Sequence, residues 1–331
     1  MILPSYFKWS AAALGLVAQV CTAQTYTECN PMKKTCPSDA GLAQSTFYTD
    51  FTSGDSAFKR WNTTSGTVTS TDQGAKFTIS EQGDAPTLQS EFYIFFGYVE
   101  IVMKAANGTG IVSTLVLESD DLDEIDWEQV STFDNQIQTN YFGKGNTTSY
   151  DRATTVTVSS PEETFHTYAI NWTSSKIDWL VDGSVVRTLN YADAVDGYNY
   201  PQTPSLIKLG IWAGGDPDNS DGTIEWAGGQ TDYDAAPFNM YIKSVKVVNY
   251  NPAAAYSYSD KTGSYTGITS SNSTASLSTS KSASSSLFSS SKSVSASVSS
   301  SSIAYSSGAS YVALSYAGFA LAALVAGMLH V

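Results

Sequence analysis

The run Glu124-Ile125-Asp126-Trp127-Glu128 alternates acidic and apolar residues one by one. Because successive side chains of a β-strand face opposite sides of its sheet, this pattern predicts that Ile125 and Trp127 enter a core and that the three acids share the other face. No lysine or arginine separates the three acids. Their mutual repulsion therefore predicts a raised pKa for at least one carboxyl group.

Two carboxyl groups with different pKa values are what glycoside cleavage requires, because one attacks the sugar while the other protonates the leaving oxygen. Positions i and i+4 of a strand are roughly 13 Å apart. Side chains that lean toward a substrate between them could bring the carboxyl groups of Glu124 and Glu128 to about 5–5.5 Å, the separation of a retaining mechanism. The pattern therefore predicts catalysis by Glu124 and Glu128 through a covalent glycosyl-enzyme.

Two simpler interpretations of the acidic run carry less weight. A solvated acidic edge does not need the apolar Ile125 and Trp127 between its acids. An EF-hand calcium loop would need a glycine at its sixth position and a distal glutamate, and both are missing here. A different class of enzyme, a serine hydrolase, is also disfavoured. The sequence has no Gly-x-Ser-x-Gly, and His166 is the only histidine between residues 24 and 250. We expect His166 to be a packing residue.

The segments around the acidic run have the composition of further strands, punctuated by Gly, Asn and Pro. Asp182-Gly183 separates two apolar runs, which predicts a β-hairpin because this turn needs positive φ angles. Long amphipathic helices are not predicted. We expect an all-β fold, an antiparallel β-jelly-roll sandwich with a concave substrate cleft. The predicted strands are 92–103, 122–130, 136–142, 166–172, 177–181, 184–189, 207–212 and 238–250.

A second alternating segment, 207–212, assigns Ile207, Leu209 and Ile211 to the core and Lys208 and Trp212 to the opposite face. Aromatic rings give sugars a flat apolar platform, so sugar contact is predicted for Trp212 and Lys208. The Trp-Ala-Gly-Gly of 212–215 returns at 226–229. The same alternation, applied to 223–226, predicts sugar contact for Thr223 as well. Trp226 stays open, because it faces the core if Ile224 does. Glu128 is also expected to bind the substrate.

The two ends of the chain indicate an exported protein. Residues 1–23 have an apolar run followed by small residues, typical of a signal peptide. From 270 to 302, 20 of 33 residues are serine, and such a segment has too little apolar surface to fold. We expect a disordered stalk over 251–310 and, at 311–331, an apolar tail typical of a glycosylphosphatidylinositol (GPI) attachment signal. A retained transmembrane helix is less favoured because no basic residue follows the tail.

These ends leave 24–250 as the catalytic domain. In an exported chain, Cys29 and Cys36 are expected to form a disulfide. The formal net charge of −14 argues against binding to nucleic acid. No metal site or cofactor is expected, and a monomer is predicted. The predicted N-glycosylation sites are the five Asn-x-Ser/Thr asparagines, Asn62, Asn107, Asn146, Asn171 and Asn272.

The acidic run matches the Glu-x-Asp-x-Glu signature of glycoside hydrolase family 16 in its unbulged form. The resemblance continues through 139–143, 165–172 and the 177–183 hairpin. With the Cys29 and Cys36 start, the 212–229 region, the serine stalk and the apolar tail, the chain resembles the fungal Crh (Congo-red-hypersensitive) cell-wall transglycosylases.

The resemblance implies that Glu124 is the nucleophile, that Glu128 is the general acid/base and that Asp126 is an assisting carboxylate that tunes Glu124. It also implies that a chitin chain is cleaved and that its new reducing end passes to a β-glucan acceptor. Two other functions stay open. An endo-β-glucanase or chitinase would use water as the acceptor, and a non-catalytic wall lectin or adhesin would not need the paired glutamates.

Overall fold

The computed structural model describes residues 26–272. The predicted signal peptide, the apolar tail and the stalk beyond residue 272 lie outside the described residues. Within 26–272 no helix is both long and apolar enough to cross a bilayer. The described chain is almost wholly β-structure, as predicted.

Eighteen strands and one α-helix make up the regular structure of residues 26–272, together with five short 3₁₀ helices. In chain order they are β1 (Asp39–Ala40), β2 (Thr46–Asp50), β3 (Trp61–Ser65), β4 (Val68–Thr71), β5 (Gly74–Ile79), β6 (Thr87–Ser90), β7 (Gly97–Lys104), β8 (Ile111–Ser119), β9 (Glu124–Val130), β10 (Gln136–Phe142), β11 (Thr154–Thr157), β12 (His166–Trp172), β13 (Lys176–Val181), β14 (Ser184–Asn190), β15 (Ser205–Ala213), α1 (Asp221–Trp226), β16 (Phe238–Asn249), β17 (Ala255–Tyr258) and β18 (Ile268–Ser271). The 3₁₀ helices are Phe51–Ser53, Asp55–Arg60, Tyr191–Asp193, Tyr233–Ala235 and Tyr265–Gly267.

Two large antiparallel sheets form the body of the fold. The first, which we call the carboxylate sheet, has the strand order β11-β10-β9-β8-β15-β6-β3. The second sheet has the order β14-β13-β12-β7-β16-β5-β4, with β2 added alongside β16. This arrangement confirms the predicted jelly-roll sandwich. It also places β9, the strand of the acidic run, in the interior of its sheet, where both of its edges are paired.

The two sheets are joined by a core of aliphatic and aromatic side chains and by two tryptophan hydrogen bonds. Trp127 of β9 donates through Nε1 to the carbonyl oxygen of Ala169 in the second sheet, at 3.0 Å. Trp179 of the second sheet donates in the opposite direction, to the carbonyl oxygen of Asp126, also at 3.0 Å. Both indole rings are fully buried. Since a buried indole N–H needs an acceptor, these bonds fix the backbone of β9 against the layer behind it.

Most of the predicted strands are confirmed with shifts of a few residues at their ends. The segments 136–142 and 166–172 match β10 and β12. The prediction for 92–103 begins too early, since β7 starts at Gly97. The hairpin between β13 and β14 has Asp182 at φ 48° and Gly183 at φ 77°, the positive angles that its Asp-Gly pair predicts.

Two predictions about chain segments were wrong. The segment 223–226 is the end of α1 and not a strand. Ser220 caps this helix by accepting a hydrogen bond from the backbone N–H of Thr223, the role for which serine is favoured at an N-cap. A helix of six residues is too short for its periodicity to be distinguished from that of a strand in the sequence.

The domain also extends beyond the predicted boundary at residue 250. The strand β17 pairs with β1 on one side and with β18 on the other, so 251–272 is not stalk. Tyr256 is fully buried and donates from its hydroxyl to the carbonyl oxygen of Asn251. The alanines, serines and tyrosines of this segment have a linker-like composition, but the buried Ala255 and Tyr256 supply the apolar contact that orders it.

Candidate active site

The carboxyl groups of Glu124, Asp126 and Glu128 lie on one face of the carboxylate sheet, which we call the acidic face. Ile125 and Trp127 point the other way and are fully buried in the core. Asp126 is 2% exposed, while Glu124 and Glu128 are half-buried. The predicted alternation is therefore confirmed. The core residues between the acids hold the three carboxyl groups in a row along one strand.

The central carboxyl group, Asp126, is held in its protonated form. Burial raises its pKa well above the ordinary value, and the charges of Glu124 and Glu128 and a hydrogen bond to Glu124 raise it further. A protonated Asp126 donates this bond to the Glu124 carboxylate. Neither Asp126 oxygen has another hydrogen-bond partner among the described residues. The proton is therefore placed between the two acids, where it orients Glu124.

Burial also raises the pKa of Glu128 to about 8, and the neighbouring charge of Glu124 acts in the same direction. At neutral pH this carboxyl group carries a proton and can donate it. Glu124 and Glu128 have the same side chain but different neighbours. One accepts a hydrogen bond and the other retains its own proton, which is the division of labour of a nucleophile and a general acid.

The strands on either side of β9 place one residue opposite each acid. On β8 these are Glu118, Val116 and Thr114, facing Glu124, Asp126 and Glu128 in that order. On β10 they are Phe142, Asn140 and Gln138 in the same order. Residues directly opposite in an antiparallel pair share a face, so the acidic face continues across both neighbours. A chain of sugars laid across the strands would contact this surface.

Glu118 and Lys208 form a buried ion pair on the acidic face, beside Glu124. Both side chains are less than a tenth exposed. The Lys208 ammonium also lies 5.5 Å from the ring centre of Tyr26, and the backbone N–H of Tyr26 donates to Glu118. Lys208 thus lies on the predicted face but is engaged by Glu118. Burial raises the pKa of Glu118 to about 7, although Lys208 opposes the shift.

A pocket of about 390 Å³ opens beside this ion pair. Its walls include Glu118 and Lys208 from the carboxylate sheet, Gln89 from β6, and Tyr26 and Asp39 from the N-terminal segment. Burial raises the pKa of Asp39 to about 8, and the charges of Asp120 and Asp121 raise it further. The N-terminal segment is closed by the Cys29–Cys36 disulfide, which confirms the predicted pairing. The disulfide loop therefore shapes one end of the acidic face.

Two tryptophans form a wall on the Glu128 side of the acidic face. Trp212 and Trp226 stack with their ring centres 5.9 Å apart and their planes 18° apart. Trp226 donates from Nε1 to Oε1 of Gln138, the residue opposite Glu128, at 3.0 Å. Both rings are partly exposed. Trp226, which the sequence left open between core and cleft, therefore belongs to the cleft.

The position of Glu124 is set by the buried carboxyl group immediately before it. Asp123 accepts hydrogen bonds from the backbone N–H groups of Lys144 and Gln202, at 3.0 and 2.8 Å, and from the Thr203 hydroxyl at 2.9 Å. Burial and the charge of Asp121 raise its pKa to about 7, against the opposing effect of Lys144. Asp123 thereby connects the start of β9 to two loops, and none of these connections is local in sequence.

Other predicted residues fall in different places. Thr223 lies in α1, where its hydroxyl is 2.9 Å from that of Ser220, so the strand argument for its sugar contact is lost. His166 lies in the second sheet, with Nδ1 2.8 Å from Asp182 and Nε2 2.9 Å from the Ser159 carbonyl oxygen. It is a packing residue, as expected.

The five sequons differ in their surroundings. Asn62, Asn107 and Asn272 are exposed. Asn146 is half-buried and donates to Asn199, and Asn171 is half-buried in the second sheet and accepts from the Tyr250 hydroxyl.

Sequence reasoning missed Glu118 and Gln138 and left Trp226 open. Glu118 is the only charged residue of β8, in an otherwise apolar and hydroxyl-bearing run. A single charge in such a run was a usable signal of a buried, paired carboxylate. Gln138 had no such signal, and the contact between Gln138 and Trp226 could not be predicted because it joins residues 88 positions apart.

Comparison with known proteins shows the family of this chain. The family model for glycosyl hydrolases family 16 matches residues 54–228. The chain is 61% identical over 274 residues to Crh-like protein 1 of Aspergillus fumigatus, covering 83% of this chain and 72% of that protein. It is 59% identical over 263 residues to Crh-like protein 5 of the same fungus, covering 80% of this chain and 66% of that protein.

Solved structures are similar over the same region. A structure described as Crh5 transglycosylase in complex with NAG is 58% identical, with a TM-score of 0.72, and covers 73% of this chain and 100% of its own. A Bacillus licheniformis β-glucanase is 23% identical, with a TM-score of 0.52, and covers 63% of this chain and 100% of its own. The second likeness supports the fold alone.

Proposed function

This chain belongs to glycosyl hydrolases family 16, in the group of the fungal Crh-like proteins, and from that premise we propose that it is a retaining cell-wall transglycosylase. It cleaves chitin and transfers the new reducing end to a β-glucan acceptor. The observation that carries the catalytic part of this proposal is the acidic row, in which Glu128 retains a proton near neutral pH while Glu124 accepts a hydrogen bond from Asp126.

The first half of the reaction uses these two states. Glu124 attacks the anomeric carbon, and Glu128 donates its proton to the glycosidic oxygen as the bond to the leaving chain breaks. The donor chain is then held as an ester of Glu124. Asp126 positions the Glu124 carboxylate through their shared hydrogen bond, and Asp123 fixes the start of the strand on which all three lie.

In the second half, Glu128 removes a proton from the acceptor hydroxyl, whose oxygen attacks the anomeric carbon of the glycosyl ester; the bond between that carbon and the Glu124 oxygen breaks, and Glu124 leaves as a carboxylate. An acceptor sugar competes with water at this step. The partly exposed Trp212 and Trp226 beside Glu128 offer an apolar platform that would favour a sugar over water. Chitin as donor is suggested by the NAG in the similar structure, and β-glucan as acceptor rests on the resemblance to Crh proteins.

The test is mass spectrometry of products from the secreted protein. Chitin oligosaccharides are incubated with and without a labelled β-glucan oligosaccharide, and the Glu124→Gln variant serves as the control. A hybrid product that the variant does not form is expected. Shortened chitin oligomers alone would indicate a chitinase, and cleavage of β-glucan without turnover of chitin would replace the proposed donor.

A non-catalytic lectin or adhesin is disfavoured by the electrostatics of the acidic row. Binding sugar needs no buried pair of carboxyl groups, and burying carboxyl groups together has a cost that raises their pKa values. Such a row is expected where proton transfer is needed.

We also propose that the protein is exported through the predicted signal peptide and held at the cell surface by a GPI anchor. Deletion of 311–331 should release the active protein into the medium, because the attachment signal is lost. The measurement is the activity of the membrane and medium fractions before and after phospholipase treatment. Retention of the shortened protein in the membrane fraction would contradict the anchor. A monomer is proposed for the secreted form.

A further inference from the structure

One of the five sequons lies on the acidic face itself. Asn62 is the second residue of β3, the edge strand of the carboxylate sheet. Its neighbour Trp61 is 5% exposed and packs in the core, so Asn62 points to the opposite side. Asn62 is exposed, and its side chain makes no hydrogen bond within residues 26–272. The amide is therefore accessible on the face that carries the catalytic acids.

The strand register connects Asn62 to the catalytic row without interruption. Asn62 pairs with Gln89, Gln89 with Lys208, Lys208 with Val116, and Val116 with Asp126. This row contributes one residue from each of five neighbouring strands. With strands about 4.8 Å apart, the four steps from Asp126 to Asn62 span roughly 19 Å. In a β-linked sugar chain, the length of one sugar is close to the spacing between neighbouring strands. The distance from Asp126 to Asn62 therefore accommodates about one sugar for each strand step.

A pocket lies between these two residues, over side chains that are themselves largely buried. The pocket of about 390 Å³ lies along this part of the row, with Gln89 and Lys208 in its wall. A sugar chain that extends from Asp126 across β8, β15 and β6 would pass this pocket and then meet β3. Asn62 is thus at the place where the carboxylate sheet ends.

We propose that an N-glycan on Asn62 closes this end of the cleft and limits how many sugars the enzyme binds on the β3 side. In the modification, the Asn62 amide nitrogen attacks the anomeric carbon of a lipid-diphosphate-linked oligosaccharide. The N–C bond forms, the lipid diphosphate leaves, and the amide loses one proton. The proposal rests on the proposed function, since it concerns the length of the oligosaccharide held by the same site.

A glycan on Asn62 is large and hydrated compared with the spacing of about 4.8 Å between the paired strands β3 and β6. It would occupy the solvent above the edge strand, where a longer substrate would otherwise continue. The half-buried Asn171 offers a matched comparison, because it lies on the outward side of the second sheet, between Tyr98 and Asp178. A glycan there cannot reach the acidic face.

The experiment compares the secreted wild-type protein with Thr64→Ala, which removes the sequon but keeps the Asn62 side chain, and with Asn171→Gln as the control. Glycopeptide mass spectrometry reports occupancy. The kcat/KM for chitin oligosaccharides of increasing length reports how many sugars are bound. Binding of the same oligosaccharides is measured by calorimetry in the Glu124→Gln background, where turnover does not interfere.

We expect Asn62 to carry a glycan and the wild-type kcat/KM to stop rising at a shorter oligosaccharide than that of Thr64→Ala. For longer oligosaccharides the variant should gain about tenfold in affinity, the effect of one further well-held sugar. The shortest oligosaccharides and Asn171→Gln should show no change. Native trimming of the wild-type glycans with an endoglycosidase should reproduce part of the gain, even if the variant is secreted poorly.

Two results would overturn the proposal. One is an unmodified Asn62 in the secreted protein. The other is the same length dependence for wild type, trimmed wild type and Thr64→Ala, in a protein that does transfer chitin to β-glucan. If no oligosaccharide is turned over or bound, the proposed function fails as well, so the two failures are distinguishable.

Discussion

Glu124 and Glu128 are chemically identical side chains, four residues apart on one strand, and their neighbours separate their protonation states. Asp126, buried between them, gives its proton to a bond with Glu124. No such bond acts on the pKa of Glu128 within residues 26–272, and burial together with the charge of Glu124 keeps its own proton in place. Both roles of a retaining mechanism therefore arise from one strand.

Replacement of the nucleophile tests this division directly. Glu124→Gln keeps the size of the side chain but cannot form the glycosyl ester, so transfer should fall by at least about a thousandfold. Intact-protein mass spectrometry should detect the glycosyl adduct in wild type and not in the variant. Thermal unfolding serves as the control for folding. A variant with full activity would rule out Glu124 as the nucleophile.

The raised pKa of Glu128 predicts the pH dependence of the first half-reaction. The residue must be protonated to act as the acid, so kcat/KM should decline as the pH rises through about 8. Well below pH 8 Glu128 is already protonated, so its titration causes no further change in kcat/KM there. Glu128→Gln should remove this alkaline decline together with most of the activity. If kcat/KM of Glu128→Gln still declines at alkaline pH, the decline arises from the titration of another group.

At the residue scale, the sequence was sufficient to predict that the three acids of β9 share one face. It was not sufficient to predict which residues of other strands contact them. The acids alternate with Ile125 and Trp127, and this local pattern alone predicts their common face. Glu118 and Lys208 meet only because β8 and β15 are neighbours, 90 positions apart in the chain. No local pattern contains that information, and for the same reason Lys208 was expected to contact sugar rather than a carboxylate.

At the scale of the element, the wall beside Glu128 combines a strand and a short helix. Trp212 extends from β15, where period-two alternation predicted its face correctly. Trp226 comes from α1, and the same alternation applied to 223–226 gave the wrong element. The helix is specified by the Ser220 cap and by Ala227, which is fully buried. The cap is a local signal, but the burial of Ala227 is a tertiary feature that six residues of sequence cannot show.

Removal of either ring should weaken oligosaccharide binding. Trp226→Ala and Trp212→Ala each take away one face of the stacked pair and should lower affinity for the acceptor about tenfold. The measurement is calorimetric titration in the Glu124→Gln background. Tyr48→Ala is the matched control, since Tyr48 is 63% exposed on the second sheet. Unchanged affinity in both tryptophan variants would return the pair to a packing role.

At the scale of the whole molecule, the buried carboxyl groups connect stability to pH. The pKa values of Asp39 and Glu128 are raised to about 8, and those of Glu118 and Asp123 to about 7. Folding favours the protonated form of such groups, so their contribution is complete below the unfolded pKa near 4 and is lost as the pH rises through 7 to 8.

Other carboxyl groups act in the opposite direction. Hydrogen bonds hold the pKa values of Asp178, Asp182 and Asp216 below the ordinary value, against the effect of their burial. Their stabilisation is lost as the pH falls below about 4. We therefore expect the highest Tm between about pH 4 and 6, and a decrease toward pH 8. Differential scanning calorimetry across pH 3–9 measures this, and a Tm that rises from pH 5 to 8 would contradict it.

The fold class was predictable at this scale because strand patterns and hairpin turns are local. The end of the domain was not. β17 and β18 consist of residues typical of linkers, and they are ordered because β17 pairs with β1, more than 200 positions away, and β18 pairs with β17. Composition reports what a segment contains but not which distant edge it joins.

The hydrogen bond from Trp179 to the backbone of Asp126 has a consequence for directed evolution. Its acceptor is a main-chain carbonyl oxygen, which any residue at 126 would also present. The side chains of the cleft can therefore be varied while the support of their strand is kept, provided that Trp179 is left unchanged.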